Sequence, residues 1–316
     1  MTRRHLLALS AALPFARLSA KECLPQATTF INPDKFRRIV DQAMKEDWGS
    51  KEIGWRIARV GFALENTAYQ GFTLEIDDHV ESPSVNFDGL DCWTFFEASL
   101  GMARMLEQKK PSYTPSDLLR EIEWTRYRSG TCTGSYLERL HYMDDWFYDN
   151  EARGNVFSIT RQLGYAVRLT GRRTTENSAM WNAYRYLREN PSLRPGMKLV
   201  EEAVDRLPRW YIPKEQVALI EPQLHSGDII GIVTREQGGM CSHSGIIVQT
   251  VKKEARFMHA SKTYKRVVLD KTISGYLNSI QRHAGIIVAR PLPRSSQIVD
   301  VALYKQRLQK LIQDNA

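Results

Sequence analysis

The stretch that decides the fold is Ser226-Gly227-Asp228-Ile229-Ile230-Gly231-Ile232-Val233. A short apolar run rich in β-branched residues, entered through a Gly turn, reads as a buried strand. Four more such runs follow: Ser244-Gly245-Ile246-Ile247-Val248, Arg256-Phe257-Met258-His259, Arg266-Val267-Val268-Leu269, and Gly285-Ile286-Ile287-Val288-Ala289-Arg290. Gly238-Gly239 and the polar Lys252-Lys253-Glu254 supply turn chemistry between several of them. An antiparallel sheet from Val217 onward is therefore expected.

Upstream of Val217 the texture is helical. Residues 34–46 carry Phe36, Ile39, Val40 and Ala43 on one face, with Asp34 as the cap. Ser50 is read as the cap of a second helix over Ile53 to Tyr69. A third opens at Cys92 and ends near Lys109 and Lys110, and a fourth covers Ser116 to Arg126. Residues 127–215 mix short helices and loops rich in Arg, Asn and aromatics, with weak periodicity, so about 111–215 reads as an insertion. After Pro291-Leu292-Pro293, residues 298–315 form an amphipathic terminal helix bearing Val299, Leu303, Leu308 and Ile312. Helices first and an antiparallel sheet second make an α+β domain. No repeat or linker divides residues 21–316, which read as one catalytic unit.

The chain has 316 residues, 42% hydrophobic and 25% charged. That composition is ordinary for a globular protein and argues against disorder or membrane spanning. Residues 1–20 differ: Thr2-Arg3-Arg4-His5-Leu6-Leu7 leads into an apolar stretch to Phe15, closed by Leu18-Ser19-Ala20. A basic start, a short apolar core and small residues describe a cleavable export signal, too short to span a bilayer. The paired arginines also fit a twin-arginine signal. Export would place the mature chain in the periplasm. Cleavage removes three arginines and no acid, taking the net charge from +8 to +5. A mild positive charge suits an anionic wall polymer, or only solubility; no nucleic-acid partner is implied. Of the four cysteines, Cys23, Cys132 and Cys241 can form at most one bridge among themselves if Cys92 stays free. No Cys-x-x-Cys or His/Cys ladder suggests a metal, and no cofactor is implied. Oligomeric state is not legible.

Asp91-Cys92-Trp93-Thr94-Phe95-Phe96-Glu97 follows the turn-like Asn86-Phe87-Asp88-Gly89 and opens a run of helix formers. A thiol in the first turn of a helix meets the positive end of the dipole, which favours thiolate. A lone cysteine is more often buried and inert. Two histidines reverse that reading. His243 stands at the mouth of the second strand and His259 closes the third, so a hairpin at Lys252-Lys253 sets them side by side at one end of the sheet. A cysteine nucleophile needs a base, and the base needs a group to orient it.

These residues resemble the C-terminal half of NlpC-type cell-wall cysteine peptidases: Gly227-Asp228-Ile229-Ile230, then His243-Ser244-Gly245-Ile246, then His259-Ala260-Ser261, then the strand from Gly285 to Arg290. The resemblance covers roughly residues 60–110 and 215–292. It implies a papain-like thiol hydrolase that cuts amide bonds in peptidoglycan stem peptides. A narrower likeness spans nearly the whole mature chain. Gly71-Phe72-Thr73-Leu74-Glu75, Asp91-Cys92, Tyr127-Arg128-Ser129-Gly130, Arg139-Leu140-His141-Tyr142-Met143-Asp144-Asp145-Trp146, Tyr211-Ile212-Pro213-Lys214 and Ser242-His243 resemble the motifs of a bacterial amidase-like branch, long catalogued as a domain of unknown function. That resemblance implies N-acetylmuramoyl-L-alanine amidase activity on peptidoglycan or muropeptides.

Carried over, Cys92 is nucleophile, His243 general base then acid, and His259 the orienting partner. Backbone N–H groups at the start of the Cys92 helix meet the oxyanion. Asp91 matches a position that binds a free amine in the dipeptide-cutting relatives, a group an amidase substrate lacks. Trp93 departs from the small residue common in the superfamily and narrows or reshapes the cleft. Tyr127, Arg128, Arg139, His141 and Tyr142, together with Ser242, are candidate substrate contacts, combining rings that stack on sugars with donors for carboxylates. The alternative for the insertion residues is an internal hydrogen-bond network. The rival functions are an endopeptidase cutting after D-Glu and a non-catalytic wall-binding protein. His79, His225 and His283 are read as structural or surface residues.

Overall fold

The computed structural model describes residues 24–294 and 300–316. The export-signal reading, Cys23 and Val299 lie outside the described residues. The helices are α1 (Pro33–Lys45), α2 (Ile53–Ala63), α3 (Cys92–Leu106), α4 (Pro115–Arg126), α5 (Met143–Ala152), α6 (Arg194–Asp205), α7 (Lys214–Ile220), α8 (Ile273–Asn278) and α9 (Val301–Asn315), with shorter turns between them. The long strands are β1 (Ile229–Thr234), β2 (Cys241–Gln249), β3 (Ala255–Ser261), β4 (Arg266–Thr272) and β5 (His283–Pro291). They pair antiparallel in the order β4-β3-β2-β1-β5. Short strands extend both edges, Ala68–Tyr69 beside β4 and Trp210–Pro213 beside β5. The architecture is α+β.

The five strand readings hold because each contains a short apolar run, β-branched in four of them, that the sheet can bury. Every residue of β1 is buried. One sheet face, through Ile246, Val248, Met258 and Ala260, packs on α1–α3 with Phe95, Phe96 and Trp48 in one core. The other, through Ile230, Ile247 and Phe257, packs on α7 and α8. Burying both faces explains why the runs are continuously apolar rather than alternating.

Several boundaries differ from the sequence reading, including starts at Pro115 for α4 and Val301 for α9. α1 is capped by Asn32, whose Oδ1 accepts from the Lys35 N–H at 2.9 Å, and Asp34 sits inside the first turn. α2 stops at Ala63, and Ser50 closes a 3₁₀ turn without capping it; Ala68–Tyr69 join the sheet instead. α3 ends at Leu106. Gly227 marks a required glycine: its φ is +87°, and a Cβ there would lie 2.5 Å from the Gly54 Cα, so any side chain would push α2 off the strand entry.

Candidate active site

Cys92 opens α3 because Asp91 caps it. Asp91 Oδ1 accepts from the Thr94 N–H and hydroxyl, both at 2.8 Å, and Thr94 Oγ1 accepts from the Asp91 N–H at 2.9 Å. This reciprocal box fixes the first turn and the thiol with it. Asp91 lines the cleft, and its Oδ1 is taken up by the helix start.

The thiol does not behave as the helix terminus alone suggests. Burial pushes Cys92 up to about 12, with the Asp91 carboxylate adding, while the Ser244 hydroxyl and amide and the Trp93 amide pull it down. A helix N-terminus is worth about 0.3–1 kcal/mol to an anion, less than tenfold in ionisation. Burial outweighs the helix start and favours the protonated thiol.

His243 projects from β2 and His259 from β3. His243 Nε2 and His259 Nδ1 are 2.7 Å apart, with the rings at 87°. The Phe257 ring stacks on His259 at 4.7 Å. A Cβ at Gly245 would sit 2.7 Å from that Phe257 ring, so the glycine makes room for the stack. Burial, with His259 and His283 adding, holds His243 well below its ordinary value, which favours the neutral imidazole. His243 and Cys92 line the same cleft; among the described residues no hydrogen bond joins them directly.

The chain of partners extends one residue further. His259 Nε2 lies 3.4 Å from Asp270 Oδ2 on β4. Sequence reading missed Asp270 because it lies eleven positions from His259 in a strand read only for its apolar run. Strand pairing alone reveals it. His283, read as structural or surface, is buried beside Tyr276 at 5.3 Å, and burial plus Arg282 brings it to about 4.

The cleft is open and encloses roughly 1160 Å³ including its mouth, more than most small-molecule pockets. Trp93, Arg139, His141, Tyr142 and Ser242 all line it, as do Phe72 and Glu75 of the Gly71–Glu75 motif, and Tyr69, Glu176 and Tyr184, which were not singled out from sequence. Arg139 is buried and ion-paired to Glu75 at 2.7 Å and Glu81 at 3.5 Å. His141 is held neutral by burial and by Arg139; its Nδ1 meets Asn177 at 3.2 Å and its Nε2 meets the Tyr136 carbonyl at 3.0 Å. The Tyr142 hydroxyl donates to Glu201 at 2.7 Å.

Tyr127 and Arg128 are not brought to the cleft. Tyr127 is fully buried and donates to Glu81 at 2.7 Å, and Arg128 grips Asp145 through two bonds of 3.1 and 2.6 Å. Both serve the internal network. Cys132 is buried with Sγ against the Glu81 carbonyl, and Cys241 lines the cleft; each is a free thiol. Among the described residues no His, Cys, Asp and Glu group is arranged to hold a metal ion, and no helix is long and apolar enough to cross a membrane.

Comparison with known proteins places this geometry. A solved N-acetylmuramoyl-L-alanine amidase from Bacteroides uniformis is 27% identical, with a TM-score of 0.67, over 76% of this chain and 99% of that one. A Bacteroides fragilis protein, described provisionally as a xylanase, is 30% identical with a TM-score of 0.63 over 73% of this chain and 98% of that one. A Legionella pneumophila protein shares the fold at 19% identity, with a TM-score of 0.61 over 85% of this chain and 100% of that one. No curated protein matches the chain. The family model that matches, across residues 59–286, is AmiA-like, N-acetylmuramoyl-L-alanine amidase-like. The chain belongs to that amidase-like family.

Proposed function

We propose that the protein is an exported thiol amidase, of the NlpC-type papain-like superfamily, that hydrolyses the bond between the lactyl group of muramic acid and L-Ala in peptidoglycan or its fragments. The observation that carries the reading is the His243–His259 contact at 2.7 Å, ending in the cleft that Cys92 lines. Family membership supports hydrolysis of the amidase type. The basic and apolar residues 1–20 support export, by the twin-arginine route or the general one.

In this mechanism the Cys92 sulfur attacks the lactyl carbonyl carbon as its proton passes to His243, since both groups rest neutral. Backbone N–H groups at the start of α3 receive the oxyanion. Tyr69 is a further donor candidate: burial, with Cys92 and Asp91, raises its phenol to about 12 and keeps it protonated. Collapse breaks the C–N bond, and His243 returns the proton to the departing L-Ala amine. Water then attacks the thioester with His243 as base, releasing the lactyl carboxylate and the thiol. The wide cleft suits a sugar and a peptide together. A glycosidase would need two carboxylates flanking the bond. Here Asp91 caps α3, Glu75 pairs with Arg139, Asp144 faces Arg209 at 3.4 Å and Glu176 accepts from the Tyr184 hydroxyl at 3.4 Å, so each cleft carboxylate has a partner within the protein.

The test offers the purified mature protein muramoyl-pentapeptide and the sugar-free pentapeptide, with products read by mass spectrometry. Intact peptide released from the sugar is expected. Cleavage of the free peptide alone would make the enzyme an endopeptidase, and an unchanged rate in Cys92→Ala would remove the thiol mechanism altogether.

A further inference from the structure

At 2.7 Å, His243 Nε2 and His259 Nδ1 share one proton, because two lone pairs or two N–H groups would repel. Two neutral arrangements satisfy this. In one, His243 carries its proton on Nε2 and donates to His259, whose own proton is on Nε2. In the other, His259 donates from Nδ1, and the His243 proton moves to Nδ1, its remaining nitrogen. Only the first leaves His243 able to take a proton from Cys92.

Asp270 discriminates between them. Its Oδ2 faces His259 Nε2 at 3.4 Å, and its Oδ1 accepts from the Lys271 N–H at 2.7 Å. The His259 bond, against the opposing effect of burial, holds this carboxyl below its ordinary value, with the Lys271 amide adding, so it is ionised and only accepts. The aim of the side chain is built into the sheet. Pairing of β3 with β4 passes from Arg256↔Thr272 to Met258↔Leu269, so a bulge falls at Asp270-Lys271. Bulges re-aim side chains. The Arg256 guanidinium fixes this one, donating to the Asp270 carbonyl at 2.7 Å and to the Leu269 carbonyl at 3.4 Å. Asp270 does not line the cleft, so it acts only through His259.

We propose that Asp270 is a positioning residue that holds His259 in its Nε2–H tautomer and thereby keeps the Nδ1 of His243 unprotonated for the Cys92 thiol. This rests on the thiol amidase reading. The Lys271 bond makes Asp270→Asn the decisive variant. An asparagine keeps Oδ1 on the Lys271 N–H and turns its NH₂ group toward His259 Nε2. That donor imposes the opposite tautomer on both rings. Asp270→Ala merely removes the constraint.

Proton-detected ¹⁵N spectra of histidine-labelled protein read the tautomers, and steady-state kinetics reads the consequence. In the wild type, His243 and His259 are both expected as Nε2–H. In Asp270→Asn, His259 and His243 switch to Nδ1–H, and kcat falls about 10²-fold or more with KM unchanged, the scale of a lost general base. Asp270→Ala falls less, although it is the larger structural change. A wild-type His259 protonated on Nδ1 overturns the proposal. So does an Asp270→Asn enzyme with wild-type tautomers, or one whose kcat is no lower than that of Asp270→Ala. If Asp270→Asn does not fold, the wild-type spectrum decides alone. Retained activity in Cys92→Ala is a separate outcome: it removes the thiol reading, while the spectra still judge Asp270.

Discussion

At Cys92 two fields act on one sulfur, and their balance sets how the proposed nucleophile would be made. The helix start favours the anion by less than tenfold, whereas burial and Asp91 push the thiol up to about 12. Well below a pKa, thiolate rises tenfold per pH unit. Iodoacetamide should therefore alkylate Cys92 about tenfold faster for each unit between pH 6 and 9. A rate flat across that range would mean a preformed thiolate–imidazolium pair instead. His243 sets the other limb. Its pKa lies well below the ordinary 6.5, and in the proposed mechanism the neutral ring is the base, so acid should remove activity only well below pH 6.5. Hydrolysis measured from pH 6.5 to 8 should show no loss at the acid end; a fall centred near pH 6.5 contradicts the burial argument. Cys92, His243 and His259 were legible as candidates from the helix start and the two strand runs, and strand pairing brings the two histidines to 2.7 Å. Asp270 was not, since its partner is set by strand register and a bulge.

At the scale of one element, α4 shows how a capping box carries pH-dependent stability. Thr114 caps the helix and Asp117 answers, accepting from the Thr114 N–H at 2.8 Å, its hydroxyl at 2.9 Å and the Lys110 ammonium at 2.6 Å. Burial alone would raise Asp117, but Lys110 and Thr114 outweigh it and bring it down to about 2. The folded value lies below the unfolded one, near 3.9. The carboxylate therefore stabilises the fold fully above about pH 4, and the contribution fades as pH falls through 2. Asp117→Asn should cost about 2 kcal/mol at pH 7, measured by urea unfolding, and the gap should close toward pH 2. A pH-independent difference would assign the loss to packing. The helix itself was visible in the sequence, read from Ser116 where it starts at Pro115, as were the buried strands. The Asn32 cap was not: it adopts a left-handed backbone, φ +60°, where Asp34 offered the commoner signal.

Across the whole molecule, the segment from Arg126 to Asp205 is tied to the rest of the chain by buried polar and charged pairs whose partners are remote in sequence. Tyr127 reaches back to Glu81, and Arg126 reaches Glu97 at 2.8 Å. No local pattern announces such pairs, and so the aromatic and basic residues of the segment looked equally suited to a sugar and to a network. Arg139 is the point where the two readings meet. It lines the cleft, yet it is only 5% exposed, bonded to Glu75, Glu81 and the Leu74 carbonyl, with its guanidinium 4.6 Å over the Tyr136 ring. Burial already raises the Glu81 carboxyl, and the neighbouring Arg139 charge is what opposes that rise. Removing the cation strands two carboxylates in a dry site, and breaking such a pair costs about 3–5 kcal/mol. Arg139→Met should lose that much stability in urea, and adding Glu81→Gln should restore part of it by deleting one stranded charge. If Arg139→Met instead unfolds within about 1 kcal/mol of wild type, the range of an exposed ion pair, while KM for muramoyl-peptide rises, then Arg139 holds substrate rather than the wall of the cleft.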